Sequence, residues 1–181
     1  GYYGTSLSGE FTENSIGGKD FLANLCKKWE AVAAEKPFFS RLVIFRIGSV
    51  LEKDGGALGK MLPIFKVGLG GPIGDGKQWM SWIHRTDLCA LIIQALVDKQ
   101  YSGVLNAVAP NPVLMREFSQ TLGKCLNRPN LLPVPGAVLK ILLGDGAKVV
   151  LEGQKVISSK IKNYNFKYPL LEKAIYASTK N

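Results

Sequence analysis

Arg41-Leu42-Val43-Ile44-Phe45-Arg46-Ile47 is the stretch on which the fold turns. Five of its seven residues are apolar and three of those are β-branched. Its length and continuous apolar character predict a buried parallel strand, since a strand covered on both faces does not alternate. Outward on its N-terminal side, Asp20 stands ready to cap a helix over Phe21–Glu35. Leu22, Leu25, Trp29 and Val32 recur there at helical spacing, and Pro37 ends the helix. On the C-terminal side, Gly55-Gly56 breaks the chain before a helix over Ala57–Val67, bent near Pro63. A glycine-rich turn (Gly68–Gly76), a short strand (Gln78–His84) and a helix capped by Thr86 or Asp87 follow. In that helix Leu88, Leu91, Ile92, Ala95 and Leu96 form the apolar stripe. Gly103–Ala109 reads as a second buried strand, and Val113–Asn127 as a helix. Pro129, Pro133 and Pro135 mark a connector. Two short helices (Ala137–Leu143 and Ala147–Glu152), a basic segment (Lys155–Lys167) and a last helix from about Pro169 complete the chain. Strands alternating with helices predict an α/β architecture.

The 181 residues are 46% hydrophobic and 20% charged, which excludes disorder as the main state. No run of about 18 uncharged apolar residues occurs, so no membrane span is expected. The net charge of +9 is spread along the chain and favours acidic or phosphate-bearing ligands in general. Basic residues do not interleave with aromatics on any strand, so nucleic acid is not expected as a partner. Cys26, Cys89 and Cys125 are odd in number and form no C-x-x-C, as expected of buried free thiols in a reducing compartment. With His84 the lone histidine, no metal site is expected. The first residue is Gly1 rather than methionine, so a processed or partial chain is expected.

Two motifs mislead. Gly68, Gly71 and Gly74 share the spacing of a dinucleotide loop, but such a loop needs a strand before it and a helix opening after it. Here a helix precedes, and the segment reads as a tight connection over a cleft. Tyr176-Ala-Ser-Thr-Lys180 matches a dehydrogenase acid/base pair, yet it falls in the last residues of the chain, where fraying is expected. His84, in Trp82-Ile-His-Arg-Thr-Asp87, could exchange a proton near neutrality. The structural alternative is a strand-to-helix corner, with Trp79, Met80 and Trp82 forming an apolar wall.

Several segments resemble one family when taken in order. They are Gly1-Tyr-Tyr-Gly4, Trp29-Glu30, Arg46-Ile-Gly-Ser-Val-Leu51, Asp54-Gly-Gly-Ala57, Gly68-Leu-Gly-Gly-Pro-Ile-Gly74, Ser81-Trp-Ile-His-Arg-Thr-Asp-Leu88, Asn106-Ala-Val-Ala-Pro-Asn-Pro112, Leu132-Pro-Val-Pro135 and Leu151-Glu-Gly-Gln-Lys-Val156. Together they resemble the epimerase-family proteins of the extended short-chain dehydrogenase/reductases, in the branch with a C-terminal domain of unknown function.

The resemblance implies the C-terminal part of a Rossmann-like, doubly wound NAD(P)-binding fold plus a smaller α/β substrate domain. Residues 1–54 would close the Rossmann-like domain, whose N-terminal half is missing. Residues 55–85 would be a substrate-domain insertion, 86–127 the return to the sheet, and 128–181 the C-terminal domain. It also implies NADP, bound through Gly48, Ser49, Val50 and Tyr3, with most contacts in the missing half. An unknown small-molecule substrate, with sugar nucleotides as one candidate class, would meet Gly70, Gly71, Trp79, Ser81 and His84. Leu22 and Cys26 stand where the family carries its catalytic Tyr and Lys, so no catalytic residue is assigned. The alternative is a catalytically degenerate scaffold or assembly factor in a protein complex. The expected location is the cytoplasm or an organelle stroma or matrix, plastids included.

Overall fold

The computed structural model describes residues 1–35, 41–133, 151–161 and 163–180. Strand β2 (Val43–Ile47) forms where the apolar run predicts and pairs in parallel with β6 (Gly103–Ala107), but it is partly exposed rather than buried. At Gly48 the chain changes neighbours. The Gly48 N–H still bonds Ala107 O (3.1 Å), but Ser49 N–H bonds Ser81 O (2.8 Å). From there β3 (Ser49–Leu51) pairs in parallel with β5 (Trp82–His84). A Cβ on residue 48 would stand 2.8 Å from Ser81 O and 2.9 Å from Val108 Cγ1, so only glycine fits this crossover without a shift.

The expected strand over Gln78–His84 is two strands. Trp79–Met80 (β4) pairs antiparallel with Val113–Leu114 (β7), and β5 turns to β3. Ser81 separates them because its hydroxyl is held elsewhere, donating to Gln154 O (2.9 Å) and accepting from Val156 N–H (2.8 Å). Consequently the helix expected from Val113 begins two residues later, as α4 (Met115–Leu126). Its end is closed by Asn127 in the left-handed region (φ 52°). The first strand, β1 (Glu10–Phe11), pairs in parallel with β8 (Lys155–Val156) across most of the chain.

Helix α1 (Phe21–Glu35) has the predicted bounds, and Asp20 Oδ1 accepts from Ala23 N–H at 2.8 Å. Its stripe does not enter a core: only Ala23 is buried, while Trp29 is 66% and Val32 58% exposed. Helix α2 (Gly56–Lys66) carries Pro63 inside, and α3 (Arg85–Val97) buries Leu88, Leu91 and Ala95 but exposes Ile92 and Leu96. The last helix is α5 (Leu171–Lys180).

One apolar core joins α2, α4 and α5 around Phe65, Trp82, Phe118 and Ile175. A second joins β6, β5 and α3 around Ile83, Leu91 and Leu105. A third, small cluster of Tyr3, Val108 and Val156 lies between the N-terminal segment and β8.

The thiols depart from expectation. Cys89 is exposed and Cys26 and Cys125 are half-buried, all three free. Among the described residues no helix is long and apolar enough to cross a membrane. The expected helix over Ala137–Leu143, most of that over Ala147–Glu152, and Pro37 and Pro135 lie outside the described residues.

Candidate functional site

Strands β2 and β6 end side by side, and a cleft of about 1090 Å³ opens beyond Ile47 and Val108. Parallel strands present their ligand sites at their C-terminal ends, so the position is the expected one. One wall is α1, through Phe21, Leu22, Cys26 and Trp29. The opposite wall is Ile44 to Ser49, and the floor is Tyr2, Tyr3 and residues 152–154.

Arg46 joins the two walls. Its Nε and Nη2 donate to Glu30 Oε1 and Oε2, each at 2.7 Å, a bidentate fork between β2 and α1. Its Nη1 donates to Tyr3 OH (2.9 Å), and the guanidinium carbon lies 3.2 Å from the centre of the Tyr2 ring. Burial alone would loosen the Arg46 proton, but Glu30 and Tyr3 outweigh it and hold the group more firmly charged than usual. Tyr3 is raised above its usual range by burial, against the pull of Arg46, so its hydroxyl is neutral. It donates to Asn106 Oδ1 at 2.6 Å.

Asn106 is fully buried, and its backbone N–H donates to Glu13 Oε1 (2.9 Å). Glu13, only 8% exposed, also accepts from Ser158 Oγ, from Ser159 N–H (2.8 Å) and from Ser159 Oγ (2.7 Å). Burial works against its charge, but these hydrogen bonds win and hold its carboxyl below the ordinary range.

Of the residues singled out in the sequence, Tyr3, Gly48, Ser49 and Ser81 line this cleft together, as do Leu22 and Cys26. Val50 does not; it lies in β3 opposite Ile83 and packs toward the second core. Gly70 lies against the Phe65 ring, and Gly71 against the Leu132 carbonyl. Trp79 donates its indole N–H to Leu7 O (3.0 Å). His84 is buried and caps α3: its Nδ1 accepts from Thr86 N–H (3.1 Å), in place of the expected cap at Thr86 or Asp87. Its ring packs on Tyr168, centroids 4.1 Å apart. Asp87 is withdrawn from capping because its carboxylate accepts from Lys167 N–H (2.7 Å) and Tyr168 N–H (3.0 Å).

Sequence reasoning did not assign Glu13, Asn106 or the Glu30–Arg46 pair. A polar residue inside an apolar strand is the signal that marks Arg46 and Asn106, because buried polar groups need partners. Nothing in the sequence marks Glu13.

Burial pushes His84 below its usual value of 6.5, against the attraction of Asp87 and Glu52 and with the help of Arg85 and Lys167. The unfolded chain therefore takes up this proton before the folded one does. Stability is expected to be level above pH 6.5 and to fall as pH drops below it, since protonated Nδ1 can no longer cap α3. Thermal melts at a series of pH values check this. A His84→Gln variant should lose the part of the slope that lies nearest pH 6.5.

The parallel strands, the crossover at Gly48 and the cleft at the strand ends define an α/β protein with its candidate ligand site at the strand ends. Residues 134–177 match a domain of unknown function, DUF1731. The epimerase family protein SDR39U1 homolog, chloroplastic, of Arabidopsis thaliana is 52% identical over 179 residues, covering 98% of this chain and 52% of the relative. The crystal structure of human epimerase family protein SDR39U1 (isoform 2) with NADPH superposes with a TM-score of 0.94 at 42% identity. That match covers 99% of this chain and 62% of the human one. UDP-N-acetylglucosamine 4-epimerase from Bacillus cereus shares the fold alone, at 14% identity and a TM-score of 0.71 over 98% of this chain and 60% of that one. The chain is similar to these epimerase family proteins over nearly its whole length, and it spans about half the length of the Arabidopsis relative.

Proposed function

We propose that this chain supplies the nicotinamide-side wall of an NADP(H) site in a longer, epimerase-like oxidoreductase. The observation that carries the reading is the cleft at the ends of β2 and β6, where the backbone of Gly48 and Ser49 meets Tyr3 and Ser81. The human relative with this fold was crystallised with NADPH.

The residues present fit one end of that cofactor. Leu22, Ile47 and Trp29 offer apolar surface for a nicotinamide ring, and Gly48–Ser49 offers backbone at close range. The phosphates find nothing comparable. Arg46 is the one Lys or Arg among the described residues lining the cleft, and its fork is committed to Glu30. The pyrophosphate grip is therefore assigned to residues other than those described as lining this cleft. When bound, NADPH would supply a hydride. The protein's part is to hold the ring between α1 and β2 and to fix Tyr3 by its two hydrogen bonds. Ser81 faces this cleft, and we assign it to the substrate side. Gly70, Gly71, Trp79 and His84 support the substrate domain (55–85 and 128–181), and Val50 backs the cofactor wall from β3. The substrate is a small molecule, with sugar nucleotides as the class to screen first. The Arabidopsis relative's chloroplastic name supports a plastid location.

A second reading, a degenerate dehydrogenase fold serving as a scaffold, is favoured by one observation. Four polar groups of the cleft are committed: Tyr3 to Asn106, Glu30 to Arg46, Asp20 to Ala23 N–H, and Ser81 to residues 154–156.

Fluorescence titration of NADPH into the longer protein tests the site. Saturable binding with preference over NADH is expected, and the absence of binding overturns the cofactor reading. Turnover of a carbonyl or nucleotide-sugar panel by the binding-competent protein then separates enzyme from scaffold.

A further inference from the structure

The polar groups beneath the cleft form one continuous chain that leaves the site and ends in the C-terminal segment. It starts on α1 at Glu30, crosses β2 at Arg46, passes through Tyr3 to Asn106 on β6, and reaches Glu13. Its far end is the 157–159 segment: Asn106 Nδ2 donates to Ile157 O (2.9 Å), and Glu13 gathers Ser158 and Ser159. The direction of every bond is fixed by chemistry. Arginine has no acceptor, so Arg46 must donate to the Tyr3 hydroxyl, and that hydroxyl must give its own proton to Asn106 Oδ1. The Asn106 amide nitrogen is then left to face Ile157 O. A second contact runs alongside. The Tyr3 ring stacks on Phe11, centroids 5.4 Å apart, and Phe11 lies in β1 opposite Val156.

The two ends differ in one respect. Glu30, Arg46 and Tyr3 line the cleft, whereas Glu13, Asn106 and Ser159 do not. A buried, directionally fixed network has few ways to relax, so a change at one end must be felt at the other or break a bond between. We propose that Glu13 is a positioning residue for the cleft, and that the 157–159 segment sets the cleft's affinity for its ligand through the chain Glu13–Asn106–Tyr3–Arg46–Glu30. The proposal rests on reading the cleft as an NADP(H) site. Glu13 touches no ligand; it holds the Asn106 backbone N–H, the Asn106 side chain orients the Tyr3 hydroxyl, and Tyr3 and Glu30 together aim Arg46.

The test is a double-mutant cycle read by NADPH affinity in the longer protein, using Glu13→Gln, Tyr3→Phe and both together. Glu13→Gln keeps one acceptor oxygen and the side-chain shape while removing the charge. It is expected to weaken NADPH binding about tenfold although it lies outside the cleft. Once Tyr3→Phe has cut the chain, adding Glu13→Gln should cost little more, so the double variant should match Tyr3→Phe alone. A purely structural role would instead multiply the two effects or leave affinity unchanged, and either result overturns the proposal. If Glu13→Gln lacks a cooperative melt, Ser159→Ala, which removes one hydroxyl donor from Glu13, takes its place under the same criteria. Failure of the unmodified protein to bind NADPH would overturn the cofactor reading and this proposal with it. Normal binding with additive variants would overturn the network alone.

Discussion

The 181 residues alone are expected to bind NADPH at least about 100-fold more weakly than the longer protein, a loss of about 2.7 kcal/mol or more. Asp20, Glu30 and Glu152 line the cleft against the single guanidinium of Arg46. Among the described lining residues, the cofactor's phosphates would meet a wall of the wrong sign. The cleft wall is also half a structure in another sense. Among the described residues strand β2 pairs with β6 alone, Ile47 at its end is 50% exposed, and four consecutive residues, Ile44 to Ile47, line the open side. Consecutive residues point to opposite faces of a strand, so what they share is its edge. An unpaired parallel edge is a marginal support for a ligand. Parallel titrations of both chains by nicotinamide fluorescence check the expectation, and equal affinities would sink it.

Replacing Glu13 by alanine is expected to be the most destabilising of the changes considered, by about 4 kcal/mol. Four donors converge on this carboxylate: the N–H groups of Asn106 and Ser159 and the hydroxyls of Ser158 and Ser159. Alanine leaves the Asn106 N–H buried without its acceptor, in a strand where no water replaces it cheaply. The sequence separations are 93 and 145 to 146 residues, so the same carboxylate fastens the N-terminal segment to β6 and to the segment after β8. For a chain of this length the midpoint should fall by roughly 8–16 °C. Calorimetry measures this directly, and a drop of less than about 2 °C would contradict the role given to Glu13.

Much of the fold is legible in local sequence. The apolar run at 41–47, the Asp20 cap and the helix over 21–35 fall where spacing and propensity put them, because each is decided by near neighbours in the chain. The misses share one cause. Ser81 splits a strand because its hydroxyl is taken by residues 154 and 156, some 75 positions away. Asp87 does not cap α3 because the amides of Lys167 and Tyr168 claim it, and His84 takes over. A local rule assigns a cap to the nearest suitable side chain and does not register a distant competitor for the same group.

The site divides in the same way. Sequence alone determined that the chain is α/β, that Gly48 and Ser49 follow an apolar parallel strand, and that its segments run in the order of the epimerase family. Tertiary structure decided which residues share a cleft: Tyr3, Gly48, Ser49 and Ser81 do, while Val50, Trp79 and His84 lie elsewhere. It alone revealed Glu13, an acidic residue in a polar loop until the fold sets Asn106, Ser158 and Ser159 around it. The physical reason is that a strand or a cap is stabilised within a few residues, whereas a buried carboxylate is stabilised by donors that only the folded chain brings within reach.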